Sequence, residues 1–168
     1  MKFAIRNFKQ REMKRYLLLL ITTGTIYCNC SLLSQTTKLN CEQTIQLMES
    51  NKKLIADFYQ ELFGDKNISA IDKYIGNTYI QHNPHVADGK ESLKDALKNW
   101  FKDAPKEKID IQHIGADGDF VYIHTKSHNG AKIYSIIDIF RIQEGKVVEH
   151  WDVIEEVPEK SANSHPMF

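Results

Sequence analysis

The chain has 168 residues, 42% of them hydrophobic and 26% charged, which suits one domain with a sizeable core and gives no sign of a second. Its 22 basic residues balance 22 acidic ones, so there is no broad electrostatic footprint for nucleic acid or for an anionic membrane surface. Function is therefore expected in a local site.

At the N-terminus, Lys14 and Arg15 precede the apolar run Tyr16 to Ile21, which continues through small residues to Tyr27. The run is too short for a confident transmembrane span of about 20 residues and has the pattern of a secretory signal, with Met13 as an alternative start. Residues 1–30 are read as a signal peptide and the chain as exported, either periplasmic or secreted. A lipid anchor at Cys28 or Cys30 is the competing reading; Tyr27 and Asn29 stand against it, because a small residue is expected there. Cleavage after Cys30 leaves Cys41 alone, so no internal disulfide is expected.

Residues 31–48 read as a flexible lead-in, 49–157 as the folded domain and 158–168 as a loose tail. Leu54, Ile55, Phe58, Tyr59, Leu62 and Phe63 fall at helical spacing in a first helix that ends at Gly64. Asn67 or Ser69 caps a short second helix stopped by Gly76. Tyr79 to His82 is extended and is halted by Asn83-Pro84. Leu93, Ala96, Leu97, Trp100 and Phe101 mark a third helix. From Ile109 the period becomes that of strands, separated by Asp117-Gly118, Asn129-Gly130 and Glu144-Gly145, which predicts an antiparallel meander. Helices first and a meander afterwards give an α+β fold with the helices on one face of a curved sheet.

Asp138 interrupts an apolar face made by Tyr134, Ile136, Phe140 and Ile142. A carboxylate stripped of water suits either a proton-abstracting base or a neutral hydrogen-bond donor, and this makes Asp138 the leading catalytic candidate. Glu144 resists the positive φ of a type I′ turn, so a bulged turn is expected. It would set Asp138 opposite His150 and bring His150 and Asp152 onto the Asp138 face. Ile137, Ile139, Trp151 and Val153 then share the opposite face as a candidate homodimer surface. The Asn129-Gly130 turn is open between a clean and a bulged form, and only the bulged form adds Tyr122 and His124 to the Asp138 face.

Tyr59 is a candidate oxyanion donor from the first helix. His82, Asn83, Tyr122, Phe140, His150 and Asp152 are candidate substrate-binding residues around it. No nucleophile elbow, phosphate loop or dinucleotide fingerprint is present, and no His or Cys set has convincing metal-ligand spacing. Proton transfer without metal or cofactor is the expected chemistry, on a small hydrophobic ligand or substrate.

The strings YIQHNPHVADGKE (Tyr79 to Glu91) and IIDIFRIQEGKVVEHWDVI (Ile136 to Ile154) resemble the SnoaL-like polyketide cyclases, especially the SnoaL-like aldol-condensation branch. The resemblance implies a cone-shaped nuclear transport factor 2-like fold, often dimeric. It also implies an Asp on the penultimate strand as general base for aldol closure, which Asp138 matches, with His124 as the accompanying histidine. Related ketosteroid isomerases carry a similar IDxFRF string and a helix tyrosine that aligns with Tyr59. Their catalytic Asp before a proline falls at Asn83 here, and an amide cannot abstract a proton. Two readings follow: an acid/base cyclase, lyase or isomerase, and a noncatalytic small-ligand-binding or dimeric interaction module.

Overall fold

The computed structural model describes residues 40–168, so the expected signal segment, Cys28 and Cys30 lie outside the described residues. The chain divides by packing after Thr44, and the fold below is that of Ile45–Phe168. Helix α1 spans residues 40–64. Residues 40–48, expected as lead-in, are already helical; Glu42, Gln43, Gln46, Leu47 and Met48 are good helix formers and no Gly or Pro interrupts them. The last turn, Gln60–Gly64, widens to π geometry, with the Asp65 N–H donating to the Gln60 carbonyl at 2.7 Å. The Gln60 side chain ties this end to the start of the sheet, accepting from Ile109 N–H at 3.0 Å and donating to the Glu107 carbonyl at 3.1 Å. A Cβ at position 64 would lie 2.8 Å from that carbonyl oxygen, so only glycine admits the close approach.

Helix α2 is Ala70–Tyr74, strand β1 Ile75–Gln81 and helix α3 Lys90–Trp100. Strands β2 (Asp110–Asp117), β3 (Phe120–Asn129), β4 (Lys132–Gln143) and β5 (Lys146–Glu156) follow. The five strands form one sheet in the order β1-β5-β4-β3-β2. The three hairpins are antiparallel as expected, but β1 runs parallel to β5, so the sheet is mixed. Only a tight turn forces neighbouring strands to oppose each other, and β1 reaches β5 through no such turn. Ile55, Phe58 and Leu62 of α1, Ile71 and Tyr74 of α2, and Leu93 and Leu97 of α3 form one core with Val121, Ile123, Phe140, Ile142 and Val147 of the sheet. Trp100, part of the predicted apolar stripe of α3, is mostly exposed.

Two hairpin turns decide the faces: the β4–β5 turn differs from expectation, and the β3–β4 turn, open in the sequence, takes the clean form. Glu144 and Gly145 take positive φ, 50° and 70°, the I′ pattern that was set aside for Glu144. The right-handed strand twist favours that turn strongly enough to hold a Glu there. A bulge then follows on β5: Ile142 pairs with Val147 but Arg141 pairs with Glu149, leaving Val148 unmatched. Asp138 therefore faces Asp152, not His150, yet the extra residue restores the phase and His150 and Asp152 still share the Asp138 face. At the β3–β4 hairpin Asn129 pairs with Lys132, so the turn is the clean two-residue form, centred on Gly130-Ala131 with φ 61° at Gly130.

Candidate active site

Asp138 lies on the helix-covered face of β4 and is 5% exposed, followed on that face by the buried Phe140 and Ile142. Tyr59, held by the final turns of α1, donates its hydroxyl to Asp138 Oδ2 at 2.6 Å. His150 Nε2 lies 2.8 Å from Asp138 Oδ1, and its ring stacks on Phe140 at 4.9 Å. The other imidazole nitrogen, Nδ1, lies 2.7 Å from Gln81 Oε1. Asn83 donates Nδ2–H to Asp152 Oδ2 at 2.6 Å, while its Oδ1 accepts from His85 N–H at 2.9 Å.

The structure thus brings together six of the sequence candidates: Asp138, Tyr59, Asn83, Phe140, His150 and Asp152. Three are placed elsewhere. The clean β3–β4 turn puts His124 opposite Ile137 on the outer face, where it meets Ser135 Oγ at 2.8 Å and His113 Nδ1 at 3.1 Å. Burial, and then His113, hold the His124 imidazole below its ordinary value. Tyr122 goes outward for the same reason, opposite Ile139, and is exposed. His82 stacks flat on Trp151 at 4.5 Å and meets Glu149 Oε1 at 2.9 Å, also outside; Glu149 is held low first by His82 and then by Arg141. The predicted role of His82, Tyr122 and His124 beside Asp138 is therefore corrected.

Sequence reasoning missed Gln81 and Thr125. Gln81 was within reach, because alternation along Tyr79, Gln81 and Asn83 places all three on one side of an extended segment. Thr125 of β3 pairs with Ile136 of β4, is 2% exposed and sits beside Tyr59, and its hydroxyl has no hydrogen-bond partner among the described residues. Its placement depended on the same undecided turn as His124.

Asp138, His150 and Asp152 each offer one ligand atom within 4.8 Å of the other two, so these are the residues that could hold a divalent cation. Of the three, Asp138 and His150 are joined directly by a hydrogen bond, and Asp152 is held by Asn83. Burial, and then the nearby Asp138 carboxylate, push the Tyr59 phenol well above its ordinary value of 10.0 and the Tyr79 phenol in the same direction. Both phenols thus stay neutral when folded but ionise more readily when unfolded. The unfolded chain binds fewer protons above pH 10, so stability is expected to fall as pH rises through that value. Thermal melts from pH 8 to about 11, with phenolate absorbance followed in parallel, check this. A melting temperature that held steady while all the phenols titrated would contradict the burial of these two.

Residues 53–160 match the family model for SnoaL-like polyketide cyclase, well over half of the chain. The chain belongs to the SnoaL-like polyketide cyclase family. Solved structures agree on the fold. TsrD from Streptomyces laurentii superposes with a TM-score of 0.54 at 18% identity, covering 64% of this chain and 89% of its own. AclR from Streptomyces galilaeus gives 0.55 at 21% identity, covering 64% and 90%. An NTF-2 like protein from Burkholderia xenovorans gives 0.56 at 14% identity, covering 68% and 89%. No curated protein sequence matches the chain. The SnoaL-like assignment and the nuclear transport factor 2-like α+β fold therefore agree, and Asp138 lies on β4, the penultimate strand.

Proposed function

We propose that the chain is an acid/base enzyme that moves a proton at the carbon next to a carbonyl in a small hydrophobic compound, in an aldol-type cyclisation, lyase or isomerase reaction. The observation that carries this is the buried Asp138 between the Tyr59 hydroxyl and the His150 imidazole. In this reading the Asp138 carboxylate accepts the carbon-bound proton and an enolate forms on the substrate. The enolate attacks a second carbonyl to close a ring, and the alkoxide so formed takes the proton back from Asp138; in the isomerase case the enolate regains that proton from Asp138 at another carbon. Phe140 and its apolar neighbours exclude water, which strengthens each electrostatic contact. The test is deuterium uptake from D₂O at the α-carbon of a panel of hydrophobic ketones and β-diketones, read by NMR.

A second reading has one observation in its favour: both oxygens of Asp138 are already engaged, at 2.6 and 2.8 Å. In that reading the chain binds a small hydrophobic compound without chemistry. Ligand-induced shifts in the protein spectrum without deuterium uptake would select it.

The outer face leaves Ile137 44% and Val153 69% exposed beside the half-buried Ile139 and Trp151. We propose that this surface forms a homodimer, which the family resemblance also suggests. Trp151→Glu is expected to convert a dimer to monomer in light scattering, and a wild-type monomer at micromolar concentration would end the proposal. Export rests on the sequence of residues 1–30, and an uncleaved chain recovered from the host cytoplasm would remove it.

A further inference from the structure

The amide of Gln81 has its orientation dictated by the backbone. Asn83 N–H is an obligate donor and lies 3.0 Å from one end of the Gln81 amide, so that end is the oxygen. The nitrogen end then meets Tyr79 Oη at 3.2 Å, a group that accepts as readily as it donates. Gln81 Oε1 also lies 2.7 Å from His150 Nδ1. A carbonyl oxygen cannot donate, so Nδ1 must carry the proton. The neutral imidazole thereby presents its Nε2 lone pair to Asp138 Oδ1, 2.8 Å away.

Two lone pairs cannot face each other at that distance without a hydrogen between them. The Asp138–His150 contact must hold one proton, on the carboxyl or on the imidazole, and the base role proposed above for Asp138 uses the form with that proton on the imidazole. We infer that Gln81 is a positioning residue, fixing His150 in the Nδ1–H tautomer so that Nε2 and Asp138 share a single exchangeable proton. Gln81 does this from a distance in sequence: β1 runs parallel to β5 and registers Gln81 beside His150. Its own backbone is secured by Gln81 N–H donating to Asp88 Oδ1 at 2.7 Å. As a contribution to catalysis this role rests on the acid/base reading above; as a statement about the tautomer it does not.

The experiment is long-range ¹H–¹⁵N correlation on the histidine rings of the full chain, with His150 assigned by its loss in His150→Gln. In the wild type, Nδ1 is expected to show the protonated-nitrogen pattern at every pH where the fold persists. Gln81→Leu removes the acceptor and should move the ring proton population toward Nε2. Gln81→Glu keeps an acceptor for both Asn83 N–H and His150 Nδ1–H and should restore the wild-type pattern. In the deuterium-uptake assay, Gln81→Leu should lose at least about tenfold, as groups deprived of a tautomer-fixing partner do, and Gln81→Glu should recover most of it. An unprotonated Nδ1 in the folded wild type, or an unchanged ring pattern in a folded Gln81→Leu, overturns the inference. Tautomer shifts as described with no wild-type deuterium uptake would leave it standing and sink the enzyme reading alone.

Discussion

Asp138→Asn is expected to lower α-proton exchange by about 10²- to 10⁴-fold, the usual contribution of a positioned acid or base, while the fold stays intact. The amide suits the site as a hydrogen-bonding group. Its oxygen can accept from the Tyr59 hydroxyl, and its NH₂ can donate to the Nε2 lone pair that Gln81 imposes on His150. Both wild-type contacts are therefore replaced in kind, and the unfolding midpoint should move little, within about 1 kcal/mol. What the variant loses is the ability to take up a proton from carbon. Undiminished exchange in a folded Asp138→Asn protein would show that another group is the base. A variant that unfolds would instead count against the donor and acceptor pattern described for His150.

The second large effect is expected in the core, at Phe58. This side chain is 1% exposed, meets Tyr74 at 5.4 Å between ring centroids and packs edge-on against Phe140 at 5.9 Å. Phe58→Ala removes the ring and leaves a void that α1 and the sheet cannot close completely, with an expected loss of about 3–5 kcal/mol. For a domain whose total stability is about 5–15 kcal/mol, that is a large share. Urea titration should show a lower midpoint with an unchanged slope. A loss below about 1 kcal/mol would mean that α1 does not pack on β4 as described. Because Phe140 also touches Tyr59 and His150, the same variant should lower exchange activity even under conditions where it remains folded.

The helices and hairpins were legible because each rests on local information. The stripe Leu93, Leu97 in α3 and the glycines of the three hairpins specify elements that need no distant partner. The placement of Asp138 was legible for the same reason, since alternation along one strand decides which residues share its side. What lay beyond the sequence was the phase between strands. At the β3–β4 hairpin, reading Asn129-Gly130 as the central pair misses the real centre, Gly130-Ala131. The choice between clean and bulged forms decided whether His124 or Ile123 joined Asp138. At the β4–β5 hairpin the I′ turn and the Val148 bulge offset one another, so the predicted face was reached although the predicted turn was not. The parallel pairing of β1 with β5 was also hidden, and with it the partnership of Gln81 and His150.

That pairing has a bearing on how the protein is made. Tyr59 and Asp138 stand 79 positions apart, Gln81 stands 69 positions from His150, and Asn83 stands 69 positions from Asp152. During synthesis the helices and the first hairpins leave the ribosome well before β5 does, and β1 then waits as an unpaired strand edge. A chain stopped before residue 150 would carry Tyr59, Gln81 and Asp138 but no imidazole to join them. The Asp138 cluster is therefore assembled only once β5 has been made, and the last strand to be synthesised both gives β1 its partner and supplies the imidazole that joins Gln81 to Asp138.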